Sequence, residues 1–178
     1  MDRRTLLTRV VAGFSAIALA GFSVPFLRSL LPSFDQDLSL DVDVSALEAG
    51  EVKTVRWLGR NVLVIRRSKA AGEESQELSL QDMELQDPDS ENSAQPAFAT
   101  NTIRARRADH LVVYSNCTHL GCEVEVLTED GFEGFSCPCH RSRFDTSGRV
   151  EKGSAAKRNL EVPDYDYVAR SVIRLRKV

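Results

Sequence analysis

Cysteine is absent from this chain before Cys117 and after Cys139. Histidine is nearly as scarce, with three in 178 residues, and two of them, His119 and His140, fall in the same short stretch. A chain that keeps all four cysteines and two of its three histidines within 24 residues points to a metal centre there. Charge is missing altogether from Val10 to Leu27. Lys and Arg are missing between Ala70 and Ile103, where eight carboxylates stand alone, a pattern that predicts a solvated surface insertion over about 70–100. A net charge of -3 and a pI near 5.7 give no basic excess of the kind that nucleic acid attracts. There is no internal repeat, and outside the apolar start only a weak helical period around Leu78–Leu85. What remains, 178 residues with 42% hydrophobic content, suffices for one globular domain and a small appendage.

The concentrated ligands read Cys117-Thr118-His119-Leu120-Gly121-Cys122 and, fourteen residues later, Cys137-Pro138-Cys139-His140. Zinc takes four Cys/His ligands, commonly from paired cysteines two to four residues apart. A Rieske 2Fe-2S centre takes two thiolates on one iron and two imidazoles on the other. The second box pairs Cys137 with His140 and leaves Cys139 crowded against the histidine, so Cys139 and Cys122 are surplus, one in each loop. Two surplus cysteines suit a disulfide in an oxidising compartment. Zinc, and two ordinary disulfides with incidental histidines, are the competing readings; the second leaves both histidine placements unexplained.

C-T-H-L-G-C followed by C-P-C-H-x-S resembles the pair of boxes of Rieske iron-sulfur proteins, and more specifically those of the bacterial ubiquinol–cytochrome c reductase, the cytochrome bc complex. The likeness extends to Arg3-Arg4 with the apolar run behind it, to Val55–Gly59 leading into Val64–Arg67, and to the tail from Phe144 through Gly148-Arg149-Val150 to Asn159–Pro163. The resemblance implies that Cys117 and Cys137 bind the inner iron of a 2Fe-2S cluster, that His119 and His140 bind the outer, exposed iron, and that Cys122 pairs with Cys139. It implies that His140 accepts the hydrogen bond from quinol, that Leu120 shapes an apolar face against cytochrome b, and that the Ser142 hydroxyl donates to a bridging sulfide. Neutral imidazoles in place of two thiolates lift such a centre to roughly -150 to +300 mV. Each ring keeps its other nitrogen for solvent or substrate, so an electron and a proton can leave the quinol together.

Three positions depart from the family pattern. Phe144 stands where many respiratory members carry tyrosine and has no hydroxyl to donate. Arg141 replaces the usual glycine after the second histidine ligand; its guanidinium favours the reduced cluster, and the loss of glycine implies a changed backbone. Gly153-Ser154-Ala155-Ala156 occupies the place of a proline-rich loop and predicts a less rigid brace. His110 reads as a surface residue rather than a ligand.

The uncharged stretch from Val10 to Leu27 would measure about 27 Å as a helix, close to the hydrocarbon thickness of a bilayer. Arg3, Arg4 and Arg9 precede it, which places the amino end in the cytoplasm and the rest of the chain on the periplasmic side. Asp2–Leu7 reads as a twin-arginine export signal, the route for proteins translocated folded. Against an ordinary cleaved signal, the run exceeds the usual core and Pro25–Arg28 lacks a small-x-small exit, although Ala16, Ala18 and Ala20 mimic one. We therefore expect residues 1–31 to be an uncleaved anchor in the inner membrane, 32–39 a hinge linker, and 40–178 the head.

Within the head the apolar period becomes two. Leu40–Val44, Val52–Trp57 and Val62–Arg66 read as strands, the last two joined by a hairpin at Leu58–Asn61. Leu111–Tyr114, Glu123–Leu127, Phe132–Ser136 with a turn at Glu129–Gly131, and one closing strand Tyr167–Leu175 complete a mostly β, antiparallel domain carrying the loops 117–122 and 137–142 at one tip. The reading is an electron-transfer subunit, an enzyme only within its complex, partnered by cytochrome b, cytochrome c1 and quinol in a homodimeric assembly. Its rivals are the Rieske small subunit of a periplasmic oxidase of the arsenite oxidase type and a soluble ferredoxin feeding an oxygenase.

Overall fold

The computed structural model describes residues 2–30, 38–67, 83–127 and 134–177. The chain divides into two compact units, Met1–Asp37 and Leu38–Val178.

The first unit is helix α1, Arg3–Leu30, opened by a hydrogen bond from Leu6 N–H to Asp2 O. Its 28 residues cover roughly 42 Å at about 1.5 Å each. With a mean hydropathy of 2.0 over its most apolar 18 residues and no buried face, it is long and apolar enough to cross a membrane.

The second unit is built from nine strands among the described residues, in three antiparallel sheets of three. The first sheet orders β1 (Leu40–Asp43), β9 (Val172–Leu175) and β8 (Tyr165–Ala169), so the two ends of the head lie side by side. The second orders β2 (Val52–Trp57), β3 (Arg60–Arg66) and β4 (His110–Tyr114). The third, small sheet orders β5 (Glu125–Leu127), β6 (Gly134–Ser136) and β7 (Arg143–Phe144), and carries the two cysteine boxes.

The sequence signals hold unevenly. The hairpin expected at Leu58–Asn61 is tighter: Trp57 pairs with Arg60 across Leu58 and Gly59, at φ 48° and 81°. Both central residues of such a turn need positive φ, which glycine supplies freely and Leu58 adopts at a cost. The single closing strand from Tyr167 to Leu175 is instead the hairpin β8–β9, with a bulge between Tyr167 and Ala169. Glu123 forms an isolated bridge to Asn116, and β5 starts only at Glu125. The turn at 129–131, the hinge residues 32–37 and most of the weak helical period at 78–85 lie outside the described residues. Its end, Met83–Leu85, is not helical, and Leu85 bridges Glu151.

Strand β4 is buried along its whole length, and Val62, Val64 and Ile65 of β3 are fully buried against it. They share one core with Phe135, Phe144, Leu160, Tyr165 and Ile173. Two polar residues lie deeper than their sequence context suggests. The expected solvated insertion is anchored at Asp87, which is 5% exposed and accepts from Glu91 N–H, Asn92 N–H and the Ser93 hydroxyl, while Asn159 donates to its backbone carbonyl. His110 is buried, not a surface residue, with Nδ1 3.2 Å from the Tyr167 hydroxyl and 3.3 Å from Asp109 Oδ2.

Within the head Arg67, Arg104, Arg149 and Asp145 form a buried charged cluster. Arg104 donates to Gln95 Oε1 and to the carbonyls of Ser147, Gly148 and Leu160, which locks the segment after β7 to the rest of the head. Burial lowers Arg67 and Arg104 to about 10 and raises Asp145, against the pull of Arg149 and the backbone N–H groups of Ser147 and Arg149. With this many donors satisfied, the cluster fixes backbone geometry more than it adds net stability.

Candidate metal centre

The two boxes fold into matching loops. In the first, Cys117 N–H donates to Cys122 O at 2.7 Å and Gly121 N–H to Cys117 O at 2.9 Å. In the second, Cys137 N–H donates to Ser142 O and Arg141 N–H to Cys137 O, both at 2.8 Å. Cys117 and Cys137 therefore hold equivalent places, as do Gly121 and Arg141, and Cys122 and Ser142. The equivalence explains why the box needs a residue at positive φ in its fifth place: Gly121 sits at 84° and Arg141 at 55°. Arg141 keeps the left-handed conformation at a cost of about 1–2 kcal/mol, with its side chain exposed.

Cys117 and Cys137 are free and buried, at 3% and 1% exposure, whereas His119 and His140 are at the surface. The two imidazoles meet edge to face with ring centroids 4.6 Å apart. Cys122 and Cys139 form a disulfide that ties one loop to the other across 17 residues of sequence. The Cys137 sulfur lies within 4.8 Å of both disulfide sulfurs, but sulfurs already bonded to each other offer no thiolate. The donors left are two thiols and two imidazoles, the set a Rieske cluster requires. The Cys122–Cys139 bond leaves no four-cysteine site, and Cys117 and Cys137 are free rather than joined in a second disulfide.

Burial pushes the Cys117 thiol up, and the neighbouring Cys137 adds to this, while the His119 backbone N–H and the Ser142 hydroxyl oppose it. Such a thiol must give up its proton to ligate a metal, so binding there would release it. Ser142 is fully buried; its oxygen accepts from Ala156 N–H at 2.9 Å, leaving its proton for the Cys117 sulfur of the other loop.

The outer residues divide by exposure. Leu120, next to His119, is 73% exposed, and Phe144 is 1% exposed in the core behind the second box. Phe144 pairs with Phe135, and its carbonyl approaches Gly134 so closely that a Cβ there would stand 2.3 Å away, at a φ of 119°. The proline-poor segment is tied by groups proline lacks: Ala156 N–H holds Ser142, and Ser154 Oγ accepts from Arg143 N–H. One contact had no sequence signal, the hydrogen bond from the Thr118 hydroxyl of the first box to Arg158 O.

Comparison with known proteins agrees with the donor set. Residues 39–166 match the family described as "Rieske [2Fe-2S] domain". Over 182 residues the chain is 35% identical to the ubiquinol–cytochrome c reductase iron-sulfur subunit of Allochromatium vinosum, covering 96% of this chain and 86% of that one. It is 34% identical over 179 residues to the subunit of the same name from Cereibacter sphaeroides, covering 97% and 94%. Among solved structures, a chain of a hyperthermophilic respiratory Complex III superposes with a TM-score of 0.51 at 20% identity, covering 93% of this chain and 98% of that chain, which speaks for the fold. The chain belongs to the Rieske iron-sulfur family. Its cofactor is a 2Fe-2S cluster of Rieske type.

Proposed function

We propose that the chain is the electron-transfer subunit of a membrane quinol–cytochrome c reductase. It takes one electron and a proton from quinol at cytochrome b and passes the electron to cytochrome c1. The observation that carries this reading is the donor set: two buried thiols behind two exposed imidazoles, closed by a disulfide. The named relatives supply the complex, and their similarity runs through the apolar helix as well as the head. That extent favours the quinol enzyme over an oxidase of the arsenite oxidase type.

In this reading Cys117 and Cys137 hold the inner iron, and His119 and His140 the outer. When bound, the cluster supplies a one-electron carrier of raised potential. The buried thiols keep water from its inner side. His140 presents its free ring nitrogen at the surface, where it accepts the quinol hydroxyl as a hydrogen bond and then its proton. Leu120 offers an apolar contact against cytochrome b, and Ser142 donates toward sulfur. Helix α1 is the anchor, with the twin-arginine start in the cytoplasm, a hinge at 32–39 and the head at 40–178 on the periplasmic face, within a homodimeric complex.

The test is purification of the tagged chain from solubilised membranes. Haems of b and c type should co-purify, and the reduced preparation should give the electron paramagnetic resonance signal of a Rieske cluster. Recovery with a molybdenum subunit and no b haem would overturn the assignment.

A further inference from the structure

The segment that follows the second box lies against both cluster loops. Ala156 N–H binds Ser142 in the second loop, and two residues on, Arg158 O accepts from Thr118, the neighbour of His119. Lys157 and Arg158, both exposed, are thereby fixed beside the histidine pair, and Arg141, also exposed, directly follows His140. None of the three has a carboxylate partner among the described residues. Two carboxylates of the same segment are paired with other cations: Glu151 with Arg143 at 3.7 Å and Glu161 with Arg60 at 2.7 Å. A chain of net charge -3 thus gathers three unneutralised cations at the place where its electron leaves.

Resting on the function proposed above, we infer that Arg141, Lys157 and Arg158 form an electrostatic docking rim for a redox partner whose contact surface is acidic. Exposed charges around a small contact patch raise the encounter rate by steering, and salt abolishes the gain. A protein partner is favoured over an anionic lipid surface because the cations surround the electron exit. Pressing that exit onto lipid headgroups would block it.

The experiment uses the full chain in neutral detergent with its cluster reduced by ascorbate. One electron then passes to ferricyanide, which becomes ferrocyanide, or to hexaammineruthenium(III), which becomes the ruthenium(II) ion. Salt is raised from about 0.01 M to about 1 M, which shortens the screening length from about 30 Å to about 3 Å. The ferricyanide rate should fall at least about tenfold and the ruthenium rate should rise. Replacing Lys157→Gln and Arg158→Gln together should flatten both trends, and adding Arg141→Gln should flatten them further.

A second readout needs no cluster: the wild-type chain should bind sulfonate resin at low salt despite its net charge, and the triple variant should elute earlier. Rates indifferent to salt, or salt slopes unchanged in the triple variant, overturn the rim while leaving the Rieske signal and the proposed function standing. A preparation with no reducible cluster defeats the functional reading, and the resin alone then decides the rim. In vesicles, a ferricyanide rate suppressed by anionic lipid but not by neutral lipid, and restored in the triple variant, would assign the cations to the membrane and overturn the proposal.

Discussion

The Ser142 oxygen lies 2.9 Å from Ala156 N–H, a bond that joins the second cluster loop to the segment that braces it. The serine is fully buried, so its hydroxyl has two duties and no water to share them with. It accepts from the brace and turns its proton to the Cys117 sulfur.

Ser142→Ala should therefore do two measurable things. It strands the Ala156 N–H, which costs about 1–3 kcal/mol for a buried donor left without a partner. It also removes a donor to sulfur, and hydrogen bonds to sulfur favour the reduced cluster, so the midpoint potential should fall. Thermal unfolding and voltammetry on the same preparation would show both. A variant that keeps its potential while losing stability would confine Ser142 to a structural role.

The disulfide and the ligands separate cleanly by mutation. Cys122→Ser opens a crosslink spanning 17 residues of sequence, a loop length for which closure stabilises by about 3 kcal/mol. The cluster should still form, in lower yield and with lower stability. Cys117→Ser removes a buried donor and should abolish the Rieske signal. A Cys122→Ser protein with no iron at all, beside a Cys117→Ser protein with a normal spectrum, would exchange the two roles.

Phe144, in β7, is buried opposite Phe135 of β6 and gives the cluster no hydroxyl. Phe144→Tyr restores one at the position where many respiratory members of the family have it. The midpoint potential should rise, read by voltammetry with the cluster spectrum intact. A potential unchanged in a well-folded variant would mean that the ring edge faces away from the cluster sulfurs.

The centre was far more legible than its supports. Cys117, His119, Cys137 and His140 stand out because scarce residue types recur at short spacing, and the hairpin after Trp57 because Gly59 marks it. Local signals of that kind survive in one dimension. The β8–β9 hairpin left none, since its turn at Arg170-Ser171 uses neither glycine nor proline and the strands on both sides keep alternating. Asp87, one of the acidic run, looked like a solvated charge because Asn159, which donates to its carbonyl, lies 72 residues away. Arg141 could be seen to replace a glycine, but only its φ of 55° shows that it takes a left-handed conformation like Gly121 of the first box.

His110 carries the last prediction, because its burial is tertiary and its charge depends on pH. It opens β4 at 5% exposure, with Nδ1 shared between the Tyr167 hydroxyl and Asp109 and with Nε2 lacking a partner among the described residues. Burial lowers its pKa below the ordinary 6.5; Asp109 pulls the other way, Arg66 and Arg107 add to the lowering, and burial wins. Burial also raises Tyr167, so the phenol stays protonated throughout the range considered. A histidine whose folded pKa is depressed binds its proton more weakly folded than unfolded. Its contribution to stability is therefore full above about pH 6.5, declines as the pH falls from there through the folded pKa, and levels off below it. The head should lose thermal stability over that acid window, and His110→Gln, which cannot take a proton, should lose less than the wild type. Melting curves of the solubilised chain at a series of pH values, compared between the two proteins, measure the difference directly. If both melt with the same pH slope, His110 binds its proton equally well folded and unfolded, and Asp109 offsets the burial.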